Sequence, residues 1–288
     1  MFRPFELIEP TSVAEAIACL EADPDDARIY AGGSELLLVM RLGLLHPKLL
    51  VNIKNIPGMD RLELKNGDLH IGSLVTHRRL EVSPLIREKF PLIADMESKV
   101  ANIRVRNVGT LGGNLVFAEP HSDPATLFLI YEARVTLQSS RGQREVALDE
   151  FSIGPYETVM EPNEILTGIS VPALPQGMRG VYIRWGVLER PTLNVAVGVR
   201  RAQDGALDSV RIAVGSVGPL PMRMRDIEAA LRGASVEAAC AHIAASGALL
   251  RDRLAPGSDI YGSDEYKIYM TKVLLQRALR ESAGGQHE

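Results

Sequence analysis

Two short runs, AGGSEL at 31–36 and GTLGGN at 109–114, put paired glycines immediately ahead of apolar stretches. Consecutive residues without a Cβ permit left-handed backbone and leave N–H groups open to a bulky anion. Neither run continues into Gly-Lys-Ser/Thr and neither has G-x-G-x-x-G spacing, so a P-loop nucleotidase and a Rossmann dehydrogenase both lack their key residues. Either run alone reads as an ordinary tight turn. Together they offer two separate sets of donors for the two phosphates of a dinucleotide, with no cationic side chain required. The Ser34 and Thr110 hydroxyls can donate to phosphate or to a ring carbonyl, and Asn114 can donate or accept. The same residue types also cap turns and helix starts. Asp123, in AEPHSDPAT, has two readings: an acceptor for sugar hydroxyls, or a cap ahead of Pro124 and the apolar run Ala125–Tyr131.

Along the chain, Ser12 to Glu15 has the S-x-x-E form of a capping box before a helical stripe of Ala14, Ile17, Ala18 and Leu20. Arg28–Tyr30, AGGSEL and LLLVMRLGLL read as strand, glycine turn and a helix fading at Gly43. Residues 49–56 read as a strand. Asn66-Gly67 lies between two alternating runs, a hairpin signal. Helical spacing covers 76–81 and 84–100, ending in the basic stretch 103–107. Residues 133–148 predict a second hairpin, and EILTGISVP a strand closed by Pro172. ALPQGMRG is the expected domain boundary. Beyond it come three strands, in GVYIRWGVL, TLNVAVGVRR and DSVRIAVGSVG, and then helices over 224–232, 236–245 and 264–280.

With 288 residues, 46% of them hydrophobic, the chain can supply two cores. A net charge of -4 without a basic stripe argues against nucleic acid as a partner. Cys19 and Cys240 stand alone, so neither a disulfide framework nor a thiolate-bound cluster is encoded, and any cluster must belong to a partner. The start, MFRPFELIEP, lacks the form of a secretory signal, and no run approaches the roughly 18 apolar residues of a membrane span. The expected location is cytoplasmic. Six histidines occur without H-x-x-x-H pairing, so no metal site is expected; His121, at the exit of the second glycine run, reads as a solvent-facing turn residue. No G-x-S-x-G elbow suggests hydrolysis. Arg104 and Arg106 suit either phosphate or carboxylate pairing.

At this point AGGSELLLVMRL and IRVRNVGTLGGNLVFAEPHSDPATLFLI, with GPYETVMEPNEILTGISVP and SVGPLPMRMRDIEAALRG, resemble the FAD-binding medium subunit of the xanthine oxidase family of molybdenum hydroxylases, the type found in bacterial carbon monoxide dehydrogenase. The resemblance runs nearly the whole length. It implies an α+β chain: a two-part FAD-binding domain of the PCMH type over 1–175, with subdomains of about 1–56 and 57–175, and an α+β domain over 176–288 built on a three-stranded antiparallel sheet. It implies FAD held by Ala31, Gly32, Gly33, Ser34, Glu35 and Leu36 of the first loop and by Gly112, Gly113 and Asn114 of the second. Thr110 is placed near the flavin, Asp123 on ribose or ribityl hydroxyls, and Leu166 against the isoalloxazine.

The resemblance further implies a large molybdenum-cofactor subunit and a small subunit with two [2Fe-2S] clusters, assembled as a dimer of heterotrimers. The chain would pass their electrons to an external acceptor, with no catalytic acid or base of its own. Departures from relatives are Ser34, Arg104 and the stretch YIRWGVLERP, where Trp185 or Gly186 replaces a lysine near the flavin. Trp185 can stack on the ring or be ordinary core. Two other readings are a self-sufficient FAD-dependent oxidoreductase and a non-redox nucleotide-binding scaffold module.

Overall fold

A computed structural model of the chain describes residues 3–186 and 189–284. Its N-terminal segment forms a parallel sheet of β1 (Glu6–Ile8), β2 (Ala27–Tyr30) and β3 (Leu49–Asn52), ordered β1-β3-β2. Parallel neighbours need crossovers, and α1 (Val13–Ala22) and α2 (Leu36–Arg41) provide them. Ser12 caps α1 by accepting from the Glu15 N–H at 3.2 Å. The Glu15 carboxylate returns to the N–H and hydroxyl of Thr11 at 2.7 and 2.9 Å, one residue earlier than a capping box predicts. The strand expected over 49–56 stops at Asn52, whose side chain accepts from the Lys54 N–H at 3.2 Å and turns the chain.

The middle of the chain supplies the larger core. β4 (Leu62–Lys65) and β5 (Asp68–Gly72) form the expected hairpin, with Asn66 and Gly67 both at positive φ, 56° and 91°. Six helices follow: α3 (His77–Val82), α4 (Pro84–Lys89), α5 (Pro91–Ser98), α6 (Ile103–Val108), α7 (Leu111–Phe117) and α8 (Asp123–Tyr131). The helical stretch 84–100 is divided because Pro91 lacks the N–H that continuation needs and opens α5 instead. The chain then forms β6 (Arg134–Ser139), β7 (Gly142–Ala147), α9 (Leu148–Phe151), the small ribbon of β8 (Ser152–Gly154) and β9 (Glu157–Thr158), and β10 (Ile165–Val171). The five-stranded antiparallel sheet is ordered β4-β5-β10-β6-β7.

The C-terminal sheet has the three expected antiparallel strands, β11 (Arg179–Trp185), β12 (Leu193–Arg201) and β13 (Leu207–Gly215), extended at its edge by the two-residue β14 (Met222–Arg223). Helices α10 (Arg225–Leu231), α11 (Val236–Ala245), α12 (Gly247–Leu254) and α13 (Asp264–Ser282) complete the chain. α12 was not legible in the sequence: it opens on Gly247, a poor helix former, directly after α11 ends at Ser246. Among the described residues no helix is long and apolar enough to cross a membrane.

The segment 172–178 links β10 to β11 without interrupting the packing. Successive side chains of a strand face opposite ways, and β12 uses both faces. Leu193, Val195, Val197 and Val199 join the core beneath α10–α13, while Ala196 joins the core that contains α8. Every residue of α8 is buried, held between the helices of the middle segment and the C-terminal sheet. Phe128→Ala, at the fully buried centre of α8, is expected to cost about 3–5 kcal/mol. Because this helix belongs to both layers, denaturant unfolding followed by far-ultraviolet circular dichroism and by tyrosine fluorescence should shift together in a single transition.

Candidate functional site

The two glycine runs meet backbone to backbone. A Cβ on Gly32 would lie 2.3 Å from the Val108 carbonyl oxygen, 3.0 Å from Gly109 Cα and 3.1 Å from the Thr110 nitrogen. Only glycine allows that approach. Gly33 stands at φ +82°, and a Cβ there would strike the Tyr30 ring at 2.4 Å, so this position too requires glycine before α2 begins. On the other side, Gly109 ends α6, Thr110 pairs with Thr76 in an antiparallel bridge, and Gly112 presses on the backbone of Ser73, 2.6 Å from where its Cβ would be.

The second run is a helix start and not the open turn expected of it. Thr110 caps α7, so Gly112 and Gly113 occupy its first turn. Their N–H groups already have acceptors: Gly112 donates to Ser73 O at 3.0 Å, Gly113 to Thr110 Oγ1 at 3.1 Å, and Asn114 to Thr110 O at 2.9 Å. The first loop differs. Among the described residues the N–H groups of Gly33, Ser34 and Glu35 have no protein acceptor, and Ser34 Oγ is buried without a partner. Unpaired donors in front of a helix form an anion-binding arrangement. The second segment adds the side chain of Asn114, whose Oδ1 accepts from Ser122 Oγ at 2.7 Å and whose amide N–H remains available.

A charged group stands beside the first loop. Arg190, in the connection between β11 and β12, reaches the Glu35 carboxylate at 3.4 Å and Glu119 at 3.0 Å. Burial works against the Arg190 charge, but Glu119 and Glu35 outweigh it and raise its pKa. The Tyr156 hydroxyl donates to the other side of the group, at 2.7 Å from Glu119, from a backbone held at φ +61°. Burial and then the Glu119 carboxylate push the Tyr156 phenol up to about 12. Sequence reading had passed over Arg190, Glu119 and Tyr156, since Arg190 and Glu35 are 155 positions apart and no local pattern joins them. His121 is not a solvent-facing turn residue as expected: its Nδ1 lies 2.8 Å from Pro191 O and its ring packs at 4.6 Å on Tyr261. Arg106 pairs with Glu81 at 3.0 Å and with Val100 O, so it is not a phosphate ligand here.

Three further expected residues lie away from the glycine contact. Ser122, and not Asp123, caps α8. Asp123 is 4% exposed; its Oδ1 accepts from the Tyr182 hydroxyl and from Asn194 Nδ2 at 3.4 Å, with Arg184 Nε at 3.5 Å. Burial raises its pKa, against the opposing pull of Tyr182 and Arg184. Leu166 is 3% exposed and its side chain packs within the main core. Trp185 is not a core residue: at the end of β11 it is 41% exposed, its indole N–H donating to Tyr266 OH at 2.9 Å.

Comparison with known proteins places this geometry. Residues 3–174 match the family described as FAD binding domain in molybdopterin dehydrogenase, and 189–282 match the CO dehydrogenase flavoprotein C-terminal domain. The chain is 32% identical over 279 residues to the carbon monoxide dehydrogenase medium chain of Hydrogenophaga pseudoflava, covering 96% of each. It is 32% identical over 280 residues to the nicotine 6-hydroxylase medium subunit of Paenarthrobacter nicotinovorans, covering 95% of each. The solved carbon monoxide dehydrogenase from Hydrogenophaga pseudoflava, in a form lacking the Mo-pyranopterin moiety, superposes with a TM-score of 0.91 at 32% identity over 98% of both chains.

Tyr182→Phe removes a donor from a buried carboxyl and is expected to cost about 1–3 kcal/mol. Asp123 titrates above its ordinary value in the fold, so its contribution is full at low pH and is lost as pH rises through the folded value. Removing the tyrosine raises that value further. Denaturant melts across pH should therefore show a smaller penalty in acid and a larger one toward neutrality.

Proposed function

The chain belongs to the FAD-binding family of molybdopterin dehydrogenases, and from that membership we propose that it is the flavin subunit of a heteromeric molybdenum hydroxylase. As in its relatives, the cofactor is FAD and the chain is an oxidoreductase component. The observation that carries the reading at this site is the first loop, whose free N–H groups at Gly33, Ser34 and Glu35 and orphaned Ser34 Oγ face no protein partner. These groups fit a pyrophosphate.

In this reading Ala31 to Leu36 hold the phosphates from one side, with Leu36 opening α2, and Thr110 and Asn114 hold them from the other. Gly112 and Gly113 act by fit, bringing α7 close, and not as open donors. Asp123 keeps its Oδ2 for a sugar hydroxyl while Oδ1 serves Tyr182. Arg190 offsets Glu35 and Glu119, two carboxylates that would otherwise oppose an anionic ligand. Trp185 stands exposed at the end of β11. FAD, when bound, supplies a ring that accepts electrons singly and releases them in pairs.

The names of the relatives, medium chain and medium subunit, support a multi-chain assembly. We assign the molybdenum cofactor to a large partner and two [2Fe-2S] clusters to a small one, in a cytoplasmic dimer of heterotrimers that delivers electrons through this chain to an external acceptor. The flavin domain ends near 175 and the C-terminal domain runs over 176–288, with β12 and α8 packed across their boundary.

A visible absorption spectrum and mass analysis of the native complex purified through this chain test the proposal. Flavin bands released as FAD, iron-sulfur absorbance and two co-purifying chains are the expected result. FAD on a solitary active chain would support a self-sufficient flavoenzyme instead, and no flavin in any native preparation would leave a scaffold role. Gly32→Val, which forces the loops apart, should weaken FAD binding by about two orders of magnitude in a titration followed by flavin fluorescence.

A further inference from the structure

Beneath the glycine contact lies an ionisable pair that the flavin reading does not use. His77, the first residue of α3, places Nδ1 2.8 Å from Glu97 Oε2 on α5, with exposures of 2% and 0%. Glu97 Oε1 is buried without a partner. Such a pair is a poor device for stability, since well-packed apolar residues often serve as well or better. Its neighbours indicate another use. The His77 N–H donates to Gly109 O at 3.1 Å, and Thr76 bridges to Thr110. The imidazole Cδ2 lies 3.3 Å from where a Cβ on Gly109 would stand, and Gly109 Cα lies 3.0 Å from the Cβ position of Gly32.

Resting on the flavin reading, we propose that Glu97 and His77 are positioning residues for FAD. Glu97 orients the imidazole, the ring and backbone of His77 locate Gly109, and Gly109 sets how deeply the Gly32 loop seats. The pair thereby sets the affinity of the first loop for pyrophosphate without touching it. A carboxylate is suited to this role because its bond to Nδ1 fixes both tautomer and ring plane. An apolar contact at that place would fill the volume and leave the ring free to rotate.

The test uses the native complex, stripped of flavin and titrated with FAD. Glu97→Leu, which leaves the buried Nδ1 without its partner, is expected to weaken FAD binding by roughly tenfold or more and to lower the melting temperature, whereas the apolar double variant E97L/H77L is expected to weaken FAD binding while the melting temperature stays the same or rises. Glu97→Gln, which keeps an acceptor for Nδ1, should bind within about threefold of wild type. Ile93→Val, on the same helix, serves as a control for lost packing. Hydrogen exchange read by mass spectrometry should show faster exchange over 103–114 in flavin-free Glu97→Leu and no change in the C-terminal helices. Should Glu97→Leu fail to accumulate, the apolar double variant E97L/H77L replaces it. Unchanged FAD affinity in the folded variant, or a loss that Ile93→Val reproduces, overturns the positioning role and leaves the flavin reading intact. A wild-type complex that takes up no FAD overturns both.

Discussion

Gly32 lies against the peptide of Val108 and Gly109 with no side chain between them, and the geometry of the site follows from that contact. Backbone contact brings two loops drawn from different elements close enough to present groups to one ligand side by side. Any Cβ at position 32 would meet the Val108 carbonyl oxygen at 2.3 Å and force the loops apart by roughly an ångström. The contact also separates the roles of the two glycine runs. In the first, glycine frees N–H groups and permits a left-handed turn at Gly33. In the second, it lets α7 press on Ser73, and the N–H groups are used within the protein.

That close approach needs a rigid base, which the packing around α8 supplies. This helix is buried along its whole length, so the middle segment and the C-terminal sheet share one interior. The strand alternation of β12 distributes its side chains between the two cores, and Arg190, shortly before β12, lies beside the first loop. Arg190 therefore arrives beside Glu35 because the sheet delivers it there. The ion pairs at 3.0 and 3.4 Å contribute little to stability, but they partly offset the charge of the two carboxylates beside the loop.

Much of the local architecture was legible. Asn66-Gly67 signalled a hairpin, Ser12 capped the first helix, and the alternation in β12 and β13 marked strands. The glycine runs were found by composition alone, and four ordered motifs carried the family resemblance. Other readings failed for identifiable reasons. GTLGGN looked like a turn because glycine has low helix propensity, yet Thr110 at the N-cap and the contact with Ser73 outweighed it. The exposures of Leu166 and Trp185 were not legible because a strand residue's exposure depends on which face its sheet buries, and that is decided by packing partners.

Sequence by itself determined most of the strands and longer helices, the two glycine runs, the lack of a cysteine framework and the family resemblance. These are properties of neighbours along the chain, written in spacing and residue type. Tertiary structure alone decided that the first loop keeps its donors free while the second uses them, that Arg190 meets Glu35 across 155 positions, and that His77 and Glu97 lie beneath Gly109. Hydrogen-bond partners and buried charges are settled by distances in space, and spacing along the chain does not contain them.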